Sequence, residues 1–258
     1  MPRRHLDHQF DAELEDLTRR VLSMGGLVEN QVAQALYCVA FPTPEVVDRV
    51  LHRERDVNAL ELEIDREVCA IISRRQPTAV DLRLLMALSK TTANLERAGD
   101  EAVKIACMAR AIREHSGSQD FPTSSLRLAG ELAAIQLRNS LDALARLDAP
   151  SALNSLAEDL AIKAALEEFV RSMVGHMADD PASVQAGLNL LFAAKAIERI
   201  GAHAKNLAEF TIYAAQGLDV RHVSTAGRLL PAAPPTQGRL PEQPGPPDLR
   251  LPASLARR

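Results

Sequence analysis

One stretch of this chain occurs twice. Asn94-Leu95-Glu96-Arg97-Ala98-Gly99-Asp100 returns about 100 residues later as Ala196-Ile197-Glu198-Arg199-Ile200-Gly201-Ala202. Both copies place the frame aliphatic-Glu-Arg-x-Gly inside a long helical pattern. A glycine in a helix interior costs roughly 1 kcal/mol against alanine. Using it twice points to a helix–helix contact that needs close approach. The copies differ at their last position, where aspartate closes the first and alanine the second. The chain reads as a duplication whose halves are no longer chemically equal.

Helices are what the composition favours. The 258 residues are 47% hydrophobic but only 3% aromatic, with no tryptophan. Such a chain packs aliphatic ridges rather than rings. Cys38, Cys69 and Cys107 form no CxxC pair, so neither a disulfide frame nor a zinc knuckle is expected, and a reduced, cytoplasmic setting is. Met1-Pro2-Arg3-Arg4-His5 leads straight into charged residues, which does not fit a secretory leader. No apolar run reaches the ~18 residues of a membrane span. The net charge of −4 divides unevenly: after Asp219 six arginines face only Glu242 and Asp248, leaving an acidic body. An acidic body argues against nucleic acid as a partner, because phosphate demands the opposite sign.

Apolar spacing predicts six helices, over 7–40, 45–75, 79–114, 123–147, 152–178 and 182–216. Phe10, Leu14, Leu17, Val21, Met24, Val28 and Val32 mark the first, and Leu84, Leu88, Leu95 and Ala102 one face of the third. Pro42-Thr43-Pro44, Gln76-Pro77, Pro150 and Asp179-Asp180-Pro181 punctuate them, with Ser116-Gly117-Ser118 and Pro122 at the midpoint. Short links between long helices impose antiparallel neighbours. The expected fold is all-α: two tandem three-helix bundles over 1–117 and 118–222. A basic, Pro-rich tail over 223–258 is expected to be disordered.

Acidic side chains line one seam. Glu54, Asn58, Glu61 and Asp65 fall in a narrow angular sector beside Val50, Val57, Ile64 and Val68, and Glu96 and Asp100 sit one turn apart on the third helix. Like charges at i,i+4 repel mildly, so the stripe invites a compensating cation. All-oxygen ligands suit Mg²⁺, Ca²⁺, Mn²⁺ or iron. The same residues also read as a solvated face, since Lys104 lies one turn from Asp100 and arginines flank Glu61 and Asp65. A di-iron bundle site would need Glu-x-x-His pairs. No histidine here has a glutamate three residues before it.

These residues resemble the PhoU family of phosphate-transport regulators. The resemblance runs over 5–222, through Gln9-Phe10-Asp11-Ala12-Glu13-Leu14, Met24-Gly25-Gly26-Leu27-Val28-Glu29 and Asn58-Ala59-Leu60-Glu61-Leu62-Glu63-Ile64-Asp65. It continues through Arg74-Arg75-Gln76-Pro77, Asp81-Leu82-Arg83-Leu84 and the two Glu-Arg-x-Gly frames, ending at Gly217-Leu218-Asp219-Val220-Arg221-His222. It implies a cytoplasmic, homodimeric, non-enzymatic protein. Such a protein couples the ATPase component of a phosphate ABC transporter to a membrane sensor histidine kinase, keeps the phosphate-starvation response off, and meets membranes only through partners. It also implies metal held by Glu/Asp-x-x-x-Asp motifs on the second and third helices of each repeat. Here Glu54-x-x-x-Asn58 would face Glu96-x-x-x-Asp100. In the second repeat Asp159-x-x-x-Lys163 would face Glu198-x-x-x-Ala202, with each closing acid lost and Lys163 competing for the cation's place. Metal is expected on the first repeat and little or none on the second.

Two rivals remain from other classes: a metal-dependent phosphatase or oxidase at the first acidic site, and a metal-free helical scaffold. No phosphate-cradling glycine loop or Gly-x-Ser-x-Gly elbow supports an enzyme. His203, beside the missing acid, reads either as a replacement ligand or as a solvated helix residue. Met24-Gly25-Gly26 reads as a packing notch.

Overall fold

The computed structural model describes residues 8–116 and 120–221. Residues 1–7, the 117/118 boundary and the 223–258 tail lie outside or at the edge of these residues. Seven helices carry the described chain: α1 His8–Ala40, α2 Pro44–Arg75, α3 Ala79–Ser116, α4 Ser124–Arg146, α5 Ala149–Ala157, α6 Asp159–Asp179 and α7 Val184–Gln216. No strand occurs among them. Helices α1, α2 and α3 form one three-helix repeat, and α4, α5/α6 and α7 form the other, as the periodicity predicts.

Local chemistry sets the helix ends. Pro44 occupies the first turn of α2, where its missing N–H is no loss. Gln76 ends α2 in the left-handed region at φ 46°, its N–H donating to the Ile72 carbonyl. A side chain there is strained relative to glycine. We expect Gln76→Gly to stabilise the chain by about 0.5–1 kcal/mol in urea unfolding.

The spacing predicts one helix over 152–178, but the chain makes two, meeting at Glu158. Asp148 caps α5 by accepting from the Ser151 N–H at 3.3 Å and the Ser151 hydroxyl at 2.6 Å. Pro150 therefore lies in the first turn of α5 rather than ahead of it. Two bonds meet at the break. The amide of Gln136, on α4, donates to the Ser155 carbonyl at 3.0 Å, and the Glu158 N–H donates to that same carbonyl at 3.3 Å. This tightens the last turn of α5.

One core runs through both repeats, joining Leu17, Met24, Val28 and Ile64 to Leu137, Phe169 and Ile197. The predicted apolar stripes of α1 and α2 are buried. On α3, Leu88, Leu95 and Ala102 are buried while Leu84 is only half-buried. Helix α3 also buries a second face, because it makes its most extensive contact with α7. Ala87 packs there against Phe210 and Ala214.

The duplication is visible in how the repeats meet. A Cβ added to Gly25 of α1 would stand 2.6 Å from Leu141 Cδ2 of α4, and one added to Gly130 of α4 would stand 2.5 Å from Leu36 Cδ2 of α1. Gly130 and Leu141 follow Gly25 and Leu36 by the same 105 positions. Each helix thus offers the other a leucine and takes one into a glycine notch. Gly26, beside Gly25, has no neighbour within 4 Å, so only Gly25 of that pair is a notch.

The α3–α7 seam is polar at its centre. Asn94 Oδ1 meets His203 Nδ1 at 3.0 Å and accepts from Asn206 Nδ2 at 2.9 Å. Glu101, 5% exposed, accepts from Lys104 at 2.8 Å and from Arg199 at 3.2 Å. His203 is therefore a half-buried inter-repeat contact rather than a fully solvated side chain. Burial lowers its pKa, opposed by Glu101 and reinforced by Arg97, Arg199 and Lys104.

Candidate metal centre

Helices α2 and α3 bring three of the sequence-predicted ligands together. Glu54, Glu96 and Asp100 each offer a carboxylate oxygen within 4.8 Å of the others. Glu54 and Glu96 are half-buried and Asp100 is exposed. At an effective dielectric near 20, two unit charges about 5 Å apart repel by about 3 kcal/mol, and exposure reduces this. Among the described residues no lysine or arginine forms an ion pair with any of the three.

Gly99 makes the approach possible. A Cβ there would stand 3.0 Å from both Gln31 Oε1 and Glu54 Oε2. Gln31, fully buried on α1, donates its amide to Glu54 Oε2 at 2.7 Å and to the Val50 carbonyl at 3.3 Å. Gln31 escaped the sequence reading. It occupies a core position in phase with Val28, Val32 and Ala35, and it recurs 105 residues later as Gln136. A polar residue repeated in an apolar phase was the available signal.

The remaining predicted residues lie around this cluster. With its amide oriented by hydrogen bonding, Asn58 donates to Glu54 Oε1 at 2.9 Å. Asp65 accepts from the Ser89 hydroxyl at 3.2 Å. Burial pushes the Glu61 carboxyl up, with Asp65 and Asp100 adding to the rise and Arg97 opposing it. Burial also raises Glu96, helped by Asp100, Glu61 and Glu54 against Arg97. Glu54 is raised first by burial; the Gln31 bond opposes this and the charge of Asp100 adds to it. Each shift says the same thing: the fold asks these groups to be charged where charge is costly.

A dication would answer that cost. The donor set is all oxygen and carries three formal negative charges, which fits hard or borderline metals. Gln31 Oε1 is buried and lacks a hydrogen-bond partner beside the cluster, so the amide also leaves an acceptor uncommitted there.

The equivalent place in the second repeat differs. Asp159 follows Glu54 by the 105-residue offset, and Glu198 follows Glu96 by 102. Lys163 donates to Asp159 at 2.7 Å, and Lys195 donates to Glu198 at 2.6 Å. The bond from Asp159, and then its charge, raise the Lys163 pKa; Glu198 adds to this and burial opposes it.

Known proteins share this fold. A family model described as the PhoU domain matches the chain twice, over residues 21–109 and 126–211. The phosphate-specific transport system accessory protein PhoU homolog of Burkholderia sp is 44% identical over 222 residues, spanning 86% of this chain and 94% of that protein. The phosphate-specific transport system accessory protein PhoU of Escherichia coli (strain K12) is 39% identical over 221 residues, spanning 85% of this chain and 90% of that one. The crystal structure of PhoU from Pseudomonas aeruginosa superposes with a TM-score of 0.78 at 37% identity, covering 81% of this chain and all of that one. Two matched repeats and relatives of this identity and coverage lead to one conclusion: the chain belongs to the PhoU family.

Proposed function

We propose that this chain is an accessory protein of phosphate transport that regulates by binding rather than by catalysis. The observation that carries the reading is its pair of PhoU repeats, shared with relatives named as accessory proteins of the phosphate-specific transport system. In this reading it acts in the cytoplasm as a homodimer. It engages the ATPase component of a phosphate ABC transporter and a membrane sensor histidine kinase, and it keeps the starvation response off while phosphate is plentiful. Among the described residues no helix is long and apolar enough to cross a membrane, so contact with the bilayer would run through those partners. Regulation of this kind needs only different affinities for two states of a partner.

The same proposal gives the first repeat a divalent or iron-type ion, held by Glu54, Glu96 and Asp100, with Glu61 and Asp65 adding negative field. The ion would supply the positive charge that the fold withholds from these carboxylates.

Two measurements test the reading. A tagged chain recovered from phosphate-replete cells should bring down the transporter ATPase and the kinase, and deleting its gene should raise starvation-response output without added stress. Elemental analysis combined with a phosphate-ester screen should give bound metal and no turnover. Turnover would favour a metal-dependent enzyme, and neither metal nor turnover a plain scaffold.

A further inference from the structure

The two repeats treat their acidic seams in opposite ways. In the first, Glu54, Glu96 and Asp100 converge and none is ion-paired among the described residues. In the second, each surviving acid holds an ammonium group of its own, Lys163 on Asp159 and Lys195 on Glu198. The formal charge is three negative in one place and zero in the other. Cation affinity follows ligand charge and count, so charge alone separates the two.

Packing separates them independently. Next to Gly99 the nearest side-chain atoms are oxygens, of Gln31 and Glu54. Next to Gly201, the equivalent glycine, the nearest is Ile162 Cδ1, at 3.0 Å from the position of an added Cβ. Ile162 is 1% exposed, so a methyl group lies where the first repeat has a carboxylate. The glutamines diverge as well. Gln31 and Gln136 donate to equivalent carbonyls, of Val50 and Ser155, but only Gln31 also reaches an acid, Glu54. The α5/α6 break starts α6 at Asp159 itself. Finally, Ala202 supplies no oxygen where Asp100 does.

We infer that the second repeat carries its own counter-ions, with Ile162 and the ammonium groups of Lys163 and Lys195 filling the place an external cation would take. This half of the molecule is then permanently neutralised, and any response to metal is confined to α2 and α3. The inference takes the first repeat as the ion-holding one, and the experiment keeps the two ideas apart.

The test uses the full chain, stripped with EDTA, with Mn²⁺ as the probe. In EDTA, Glu96→Gln should raise Tm because it relieves repulsion. Lys163→Met should lower Tm by about 1–3 °C, the size expected of a partly exposed ion pair in a chain this long. Asp159→Asn combined with Lys163→Met should cost less than the sum of the two single changes. In equilibrium dialysis, Mn²⁺ uptake should survive Asp159→Asn and Glu198→Gln and vanish in Glu96→Gln/Asp100→Asn. Uptake lost with Asp159→Asn or Glu198→Gln, or retained in Glu96→Gln/Asp100→Asn, would overturn the inference. So would a Tm that rises with Lys163→Met. If the unaltered chain takes up no Mn²⁺, the first-repeat metal fails, yet the direction of the Lys163→Met change in EDTA still decides the counter-ion claim.

Discussion

Gly130→Leu is expected to lower stability by about 3 kcal/mol, the upper end of the cost of forcing extra atoms into a packed contact. For a chain of this size that is a fall in Tm of about 6–12 °C. The cause is geometric. The first added carbon already stands 2.5 Å from Leu36 Cδ2, and three more atoms follow it into the α1–α4 crossing. Trimming the opposing side chain should give part of this back, so Gly130→Leu with Leu36→Ala should be more stable than the sum of the single changes by about 1–2 kcal/mol. The mirror pair, Gly25→Leu with Leu141→Ala, should behave alike. Gly26 is the internal control: with nothing within 4 Å of its added Cβ, Gly26→Ala should stabilise by roughly 1 kcal/mol through helix propensity alone. Urea unfolding of the five single variants and two pairs measures all of this. Equal losses at Gly25 and Gly26 would refute the notch.

Metal and protons should act on the first repeat in the same direction. Glu54, Glu61 and Glu96 all have pKa values raised above the usual carboxylate value of 4.5. A carboxyl raised in the fold binds its proton more tightly there than in the unfolded chain. These three carboxyls should therefore add stability as pH falls from 7 toward 4.5 through their raised values and lose that gain as pH rises again, while His203, whose pKa burial lowers, works the other way below pH 6.5. Glu96→Gln should flatten the slope. A divalent ion offers the same relief at neutral pH: at a concentration 100 times its Kd it adds about 2.7 kcal/mol, raising Tm by about 5–10 °C. Saturating Mn²⁺ should then cancel the benefit of mild acid. Thermal melts from pH 4.5 to 7.5, with EDTA or with Mn²⁺, distinguish the cases, and a Glu96→Gln chain whose metal-free pH slope equals that of the unaltered chain contradicts the scheme.

Much of the fold was legible because its signals are local. Prolines near residues 42–44, 77 and 181 mark helix boundaries, and the stripe from Phe10 to Val32 keeps one phase throughout α1. The α5/α6 break was not legible, because the Ser155 carbonyl's partner Gln136 comes from a different helix, and the equivalent Gln31–Val50 bond leaves α2 intact. No window around Glu158 contains that information. The site divides the same way. Glu96 and Asp100 were readable as neighbours one turn apart, and the repeated glycine marked where helices approach. Gln31 was hidden because a buried amide in an apolar run gains meaning only from the chain packed against it. His203 was misjudged for the same reason: its partner Asn94 is more than a hundred residues away.

Helix α3 is shared property. On one side it bears Glu96 and Asp100; within two turns, on the other, Asn94 and Glu101 grip His203, Asn206 and Arg199 of α7. A rod fastened this way cannot slide alone. Were an ion to nudge α3, it would either tow α7 along or unfasten those three side chains, so the second repeat would register its arrival too.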